Sequence, residues 1–124
     1  FTILLFGQSR DIRNKELFNR LLNHNKIKVV NLFDQGNLRQ LTPIIDECDL
    51  FVGSDSALMH LAATTKCKTI GLFGPTSDVV YGPWGVGNIS LKSEAQNNKN
   101  STGNKYLENI SVEEVYKMIR NIVL

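Results

Sequence analysis

Two turns of this 124-residue chain carry small and polar residues in a pattern suited to holding an anion: Gly53-Ser54-Asp55-Ser56-Ala57 and Gly74-Pro75-Thr76. The first passes straight from an apolar run into a helical pattern, so the N–H groups of Ala57 and Leu58 would open that helix without intrahelical partners. Together with the helix dipole they favour a phosphate or pyrophosphate. Small side chains at Ser54, Ser56 and Ala57 let such a ligand approach the backbone. Asp55 is itself anionic and sits awkwardly beside a phosphate. It either caps the helix it precedes or bonds the hydroxyl groups of a sugar. His60 comes four residues after Ser56 and therefore shares its helix face. It either donates to a phosphate oxygen or is a satisfied structural histidine. In the second turn Gly74 permits close backbone approach, Pro75 stiffens the chain and Thr76 offers a hydroxyl, although an ordinary turn has the same composition. Asp11, after the first apolar run, suits either a ribose diol, as acidic residues do in dinucleotide folds, or the N-cap of a first helix.

No catalytic set accompanies these residues: the sequence has no Ser/His/Asp arrangement, no carboxylate pair at a fixed spacing, no P-loop and no G-x-G-x-x-G. His24, in the polar segment HNHNK, reads as solvated loop. Cys48 and Cys67 follow no metal-ligand spacing and read as small buried hydrophobes in a reducing compartment. Lys plus Arg number 14 against 12 Asp plus Glu, a net charge of +2 that gives no case for nucleic acid. No apolar run is long enough to cross a membrane.

The elements that must position these residues alternate in type. Phe1–Phe6 and Ile27–Phe33 read as buried strands. Between them Ile12–Leu22 is an amphipathic helix with Asp11 as its natural cap. Leu38–Cys48 is helical in pattern but contains Pro43, so it either kinks there or begins at Thr42 with proline in its first turn. Leu50–Gly53, Ser56–Thr65 and Thr69–Phe73 give strand, helix and strand. Tyr81–Gly87 is a shaped loop, and a short strand follows at Asn88–Leu91. Lys92–Lys105 is polar and reads as a mobile loop. Ser111 and Glu114 form a capping box that opens a last helix running to about Val123. Such alternation predicts an α/β, Rossmann-like, three-layer parallel sheet, and the two turns then share the C-terminal edge of neighbouring strands, where open sheets bind ligands. Beginning almost inside a strand at Phe1, the chain reads as part of a larger protein.

The segment Asp49–Thr76 resembles the signature of glycosyltransferase family 9, the lipopolysaccharide heptosyltransferases. It stands here as Val52-Gly53-Ser54-Asp55-Ser56-Ala57-Leu58-Met59-His60 and Leu72-Phe73-Gly74-Pro75-Thr76. Leu4–Gly7 with Asp11, Val29–Leu32 with Gly36-Asn37-Leu38, Tyr81–Gly85 and Ile110–Val115 are similar to further segments of that family. The resemblance implies residues 1–124 as part of the C-terminal, nucleotide-sugar-binding half of a GT-B enzyme, without its first strand or its N-terminal acceptor domain. It implies a bacterial, cytoplasmic enzyme, peripheral at the inner face of the inner membrane. That enzyme would move a sugar, with inversion and without a metal or other cofactor, from ADP-heptose to a lipopolysaccharide core acceptor held by the absent domain. By the same resemblance Asp55 would bond the donor sugar, while Ser56, Ala57 and Leu58 would meet the diphosphate, with His60 nearby. Asp11 would hold the ribose, Gly36-Asn37 would lie against the base, and Gly74, Pro75 and Thr76 would line the pocket. No catalytic base is expected on this chain. Ala57 stands where the family usually has glycine, at a cost of about 1 kcal/mol if that position needs a positive φ. The alternative reading is a non-catalytic Rossmann-like nucleotide-binding module that regulates or scaffolds a partner.

Overall fold

The computed structural model describes residues 1–94 and 107–123, and these divide into two compact units, Phe1–Asn37 and Leu38–Leu124. In the first, β1 (Thr2–Leu5) pairs in parallel with β2 (Lys28–Asn31), and α1 (Lys15–Leu22) connects them. The first helix is shorter than its apolar spacing predicts. A 3-10 turn occupies Ser9–Asp11, and Asn14, not Asp11, caps α1 by accepting from the Leu17 N–H at 2.9 Å. Asp11 is therefore no helix cap. The ring of Phe18 meets that of Phe33 edge to face at 5.0 Å, which fastens α1 to the end of β2. A Cβ on Gly7 would stand 2.7 Å from the same Phe33 ring, so glycine is what lets the ring lie there. The two strands expected to be buried are only half-buried, and no residue of this unit is fully buried. Two strands with one covering helix have too little apolar mass to exclude water.

The second unit holds the core. β3 (Leu50–Ser54), β4 (Lys68–Phe73) and β5 (Ile89–Lys92) form a parallel sheet in that order, with Val52 opposite Ile70 and Ile70 opposite Ile89. β4 is the central strand, and its near-continuous Thr-Ile-Gly-Leu-Phe run is what a strand covered on both faces requires. Ile70 and Phe73 are fully buried with Ile45, Met59 and Ala62 from α2 (Leu38–Asp46) and α3 (Ala57–Ala63). Of the two readings of Pro43, the helix starts at Leu38 and runs through the proline, while the Thr42 hydroxyl donates to the Leu38 carbonyl at 2.7 Å. A one-turn helix that the sequence did not announce, α4 (Asp78–Tyr81), capped by Ser77, precedes the loop expected at Tyr81–Gly87 and takes in only its first residue. Asn88 joins three segments at the other end of the sheet. Its Oδ1 accepts from the Thr69 N–H at 3.0 Å, and its Nδ2 donates to the carbonyls of Ala63 and Trp84.

α5 (Val112–Val123) opens with the predicted capping box. The Ser111 hydroxyl accepts from the Glu114 N–H at 3.2 Å, and Glu114 Oε2 accepts from the Ser111 N–H at 2.8 Å. The Ser111 hydroxyl also donates to Glu114 Oε2 at 2.7 Å, and this bond first, then that from the Ser111 N–H, holds the Glu114 carboxyl below its usual range. Cys67 is buried as expected, and burial pushes its thiol up to about 11. Cys48 is only half-buried and is not the fully packed residue predicted; its thiol is also raised, first by burial and then by Asp49 and Glu47. The polar stretch Lys92–Lys105 falls outside the described residues from position 95 onward, and its first residue belongs to β5.

Candidate functional site

The C-terminal edge of the β3–β4–β5 sheet gathers most of the residues singled out from the sequence. β3 ends at Ser54, and the chain turns through Asp55 directly into α3. Ser56, not Asp55, is the cap: its backbone is extended (φ −152°, ψ 164°) and its hydroxyl accepts from the Met59 N–H at 3.3 Å. A serine in that position needs only its own short side chain to reach the N3 amide. The Ser56 carbonyl takes the His60 N–H at 3.1 Å. The amides of Ala57 and Leu58 come before the first bonded N–H of the helix and have no hydrogen bond among the described residues.

Capping by Ser56 leaves the Asp55 carboxylate for another partner, and that partner is His60, whose Nε2 lies 3.0 Å from Asp55 Oδ1. Asp55 is half-buried and His60 exposed, so the pair sits at the rim. The structure thus brings together Asp55, Ser56, Ala57, Leu58 and His60. Ala57 has no positive φ, the one such non-glycine residue described being Asp34. As the first residue of a right-handed helix, Ala57 incurs none of the backbone cost that a left-handed position would impose.

The neighbouring strand supplies the second turn. Phe73 ends β4, Gly74 is buried, and Pro75 and Thr76 are exposed. Beside it stands a residue that sequence reasoning missed. Lys92, the last residue of β5, lies in register with Phe73 and sends its ammonium back to the carbonyls of Gly74 and Thr76, the latter at 2.5 Å. β5 begins and ends one residue later than the Asn88–Leu91 that the sequence predicts. A lysine at the C-terminal end of a parallel strand was itself a signal, because that is the ligand-facing edge. Ser93 follows, with its N–H on the Phe73 carbonyl at 2.8 Å and its hydroxyl buried with no partner among the described residues.

Asp11, Gly36 and Asn37 lie in the first unit, in the loops that follow β1 and β2. Asp11 is exposed and closes the 3-10 turn through its N–H on the Gln8 carbonyl at 2.8 Å. Gly36 has φ 66°, a left-handed conformation that glycine adopts without strain. These two loops are fastened by Asp34, another residue not foreseen. Its carboxylate accepts from both the N–H and the hydroxyl of Ser9, the former at 3.0 Å. The Ser9 hydroxyl, then its N–H and the nearby Arg10 charge, hold Asp34 below the usual carboxylate range. Among the described residues no cluster of three or more His, Cys, Asp or Glu could hold a metal ion. Nor is any described helix long and apolar enough to cross a membrane.

Residues 1–110 match the profile of glycosyltransferase family 9 (heptosyltransferase). A lipooligosaccharide heptosyltransferase 2 of Campylobacter jejuni is 39% identical over 92 residues, covering 72% of this chain and 28% of that protein. A lipopolysaccharide heptosyltransferase 3 of Escherichia coli K12 is 34% identical over 97 residues, covering 70% of this chain and 27% of its own length. The chain thus spans little more than a quarter of these curated relatives. A family 9 glycosyl transferase from Veillonella parvula superposes with a TM-score of 0.77 at 22% identity over 98% of this chain and 36% of the other. The ADP-heptose LPS heptosyltransferase II of E. coli gives 0.73, also at 22% identity and the same coverage. These two likenesses establish the α/β fold with parallel sheets that the strand alternation predicted. By the match over residues 1–110 and the relatives that share it, the chain belongs to glycosyltransferase family 9, the heptosyltransferases.

Proposed function

We propose that these residues are the donor-binding part of a heptosyltransferase, one that takes its sugar from ADP-heptose and delivers it to a lipopolysaccharide core. The observation that carries this reading is the division of labour at the start of α3. Ser56 caps the helix, so Asp55 is available, braced by His60 at 3.0 Å, to accept hydrogen bonds from sugar hydroxyls. The amides of Ala57 and Leu58 are left for the diphosphate. Gly74, Pro75 and Thr76 line the adjoining strand end. Family membership supports the transfer chemistry, and the name of the E. coli structure supports ADP-heptose as donor.

In the reaction so read, an acceptor hydroxyl attacks the anomeric carbon as the bond to the diphosphate oxygen breaks, inverting the centre. ADP leaves with the bonding electrons, and a base takes the proton of the attacking hydroxyl. The residues described here orient the donor and meet charge on the leaving diphosphate. The base and the acceptor site belong to the remaining part of the protein, which would work at the inner face of the inner membrane. No metal or cofactor enters this scheme. The regulatory-module alternative draws in part on Ala57 as a departure from the family pattern, and the helical backbone there removes that part of its support.

Calorimetric titration of the full-length polypeptide with ADP-heptose, ADP and UDP tests the proposal. Heat is expected with both adenine ligands and little with UDP. Absence of heat with either adenine ligand rejects the donor assignment. Adenine-ligand binding without sugar transfer to a lipopolysaccharide acceptor returns the regulatory module.

A further inference from the structure

The net charge of the chain conceals an uneven distribution. Residues 1–37 hold six Lys and Arg against three Asp and Glu, a charge of +3, while residues 38–124 hold eight against nine, a charge of −1. All six cations of the first unit fall between Arg10 and Lys28, on α1 and the two segments that join it to the strands. Arg10 and Arg13 lead into the helix, Lys15 and Arg20 stand on it, and Lys26 and Lys28 follow it. Every one of them is exposed. None forms an ion pair among the described residues. Of the three carboxylates in this unit, that of Asp34 is taken up by Ser9, which leaves Asp11 and Glu16. Helix stability does not account for the pattern, because Lys15 is the first residue of α1, where the macrodipole disfavours a cation. Leu17 stands among these charges and is 59% exposed. An eight-residue helix is about 12 Å long, close to one Debye length, so the cations on α1 and beside its ends present one field to a partner.

We propose that α1 and its flanking segments form a docking surface for an anionic lipid bilayer, with the cations between Arg10 and Lys28 meeting headgroup phosphates and Leu17 entering between the headgroups. The proposal rests on the heptosyltransferase reading, in which the acceptor is itself a lipid, and adds the surface by which the enzyme meets it. Each Lys or Arg close to an anionic bilayer adds to the attraction. An exposed apolar side chain among cations suits the headgroup boundary better than water. Nucleic acid attracts the same charges through its phosphates but offers the leucine no apolar layer to enter. Binding of this kind is reversible and weakens with salt, because the cations remain at the surface and are screened there.

The test is co-sedimentation of the full-length polypeptide with vesicles of phosphatidylcholine alone and of phosphatidylcholine mixed with phosphatidylglycerol, with ADP titration by calorimetry alongside. Wild type is compared with Arg13→Gln/Lys15→Gln/Arg20→Gln and with the charge-preserving Arg13→Lys/Lys15→Arg/Arg20→Lys. Wild type should bind the mixed vesicles, lose them as salt is raised, and ignore phosphatidylcholine alone. The glutamine variant is expected to bind mixed vesicles about a hundredfold more weakly, and the charge-preserving variant like wild type. ADP affinity should be the same in all three. Equal binding of wild type and the glutamine variant to mixed vesicles would overturn the proposal, as would wild-type binding indifferent to salt or to phosphatidylglycerol, or no binding at all. A preference of wild type for double-stranded DNA over mixed vesicles at the same salt also overturns it, by giving the cations to nucleic acid. Vesicle binding as expected in a protein that does not bind ADP defeats the donor-site reading alone, and ADP binding without vesicle binding defeats the lipid surface alone. If the glutamine variant fails to fold, Arg13→Gln and Arg20→Gln take its place, each expected to lose about fivefold, and wild-type binding in both overturns the proposal.

Discussion

The choice of Ser56 over Asp55 as helix cap decides what the site can do. Either residue suits the role by type, and both readings of Asp55 stood open until the position of the hydroxyl was known. With the cap assigned, Asp55→Ala and His60→Ala should each weaken ADP-heptose binding by about tenfold, the scale of a hydrogen bond to a charged group. Thermal stability should barely move, because rim ion pairs contribute roughly 0–1 kcal/mol. Donor affinity equal to wild type in both variants would return the pair to a structural role. Ser93 predicts the opposite pattern. Its hydroxyl is buried with no partner among the described residues, so Ser93→Ala should leave the melting temperature unchanged or raise it, by up to about 1 kcal/mol of stability. A clear fall in melting temperature would show that the hydroxyl has a partner after all. At this scale Asp55, Ser56 and His60 were legible because their spacing is local. Lys92 and Asp34 were not, because each acts on a residue far along the chain, Lys92 on Gly74 and Asp34 on Ser9.

Among the elements, those with local signals were found and those with competing signals shifted. The capping box at Ser111 and Glu114 is as spaced in sequence, since both partners lie within one helical turn. α1 begins later than its apolar pattern because Ser9–Asp11 is committed to a turn tied to Asp34, and Asn14 is the next residue able to cap. α4 was missed because a single turn has no periodicity to show. The capping box also carries a pH dependence. Glu114 has its folded pKa lowered, so its contribution is complete above the ordinary glutamate range near pH 4.3 and is lost as pH falls through the folded value. Asp34 acts with the same sign. Melting followed from about pH 6 to pH 3 should therefore show an acid loss that is smaller in Glu114→Gln, which keeps the cap geometry without the titrating carboxyl. Identical acid limbs would mean that Glu114 is not linked to folding.

In the molecule as a whole, apolar runs of similar composition end in different surroundings. Ile3–Leu5 and Ile70–Phe73 look alike in sequence, yet the first pair of strands is half-buried while β4 lies at the centre of the core. Composition reports how apolar a strand is and not how many layers cover it. The alternation of types was enough for the α/β class. The division at Asn37–Leu38 has no marker in the sequence. The depth of the core can be read chemically through Cys67, buried and with its thiol raised to about 11. Alkylation proceeds through the thiolate, so native protein at neutral pH should be labelled first at Cys48, with Cys67 reacting only as the chain unfolds. Equal labelling rates under native conditions would contradict this. Asn88 carries the last consequence. One amide serves Thr69 with its oxygen and Ala63 and Trp84 with its nitrogen, and only an amide can do both. Spontaneous hydrolysis to aspartate would turn a carboxylate oxygen toward two carbonyl oxygens, so this side chain is a chemical clock for the domain. Stored protein in which mass spectrometry finds aspartate at position 88 should melt earlier than fresh protein, and Asn88→Asp should reproduce that ageing in a single step.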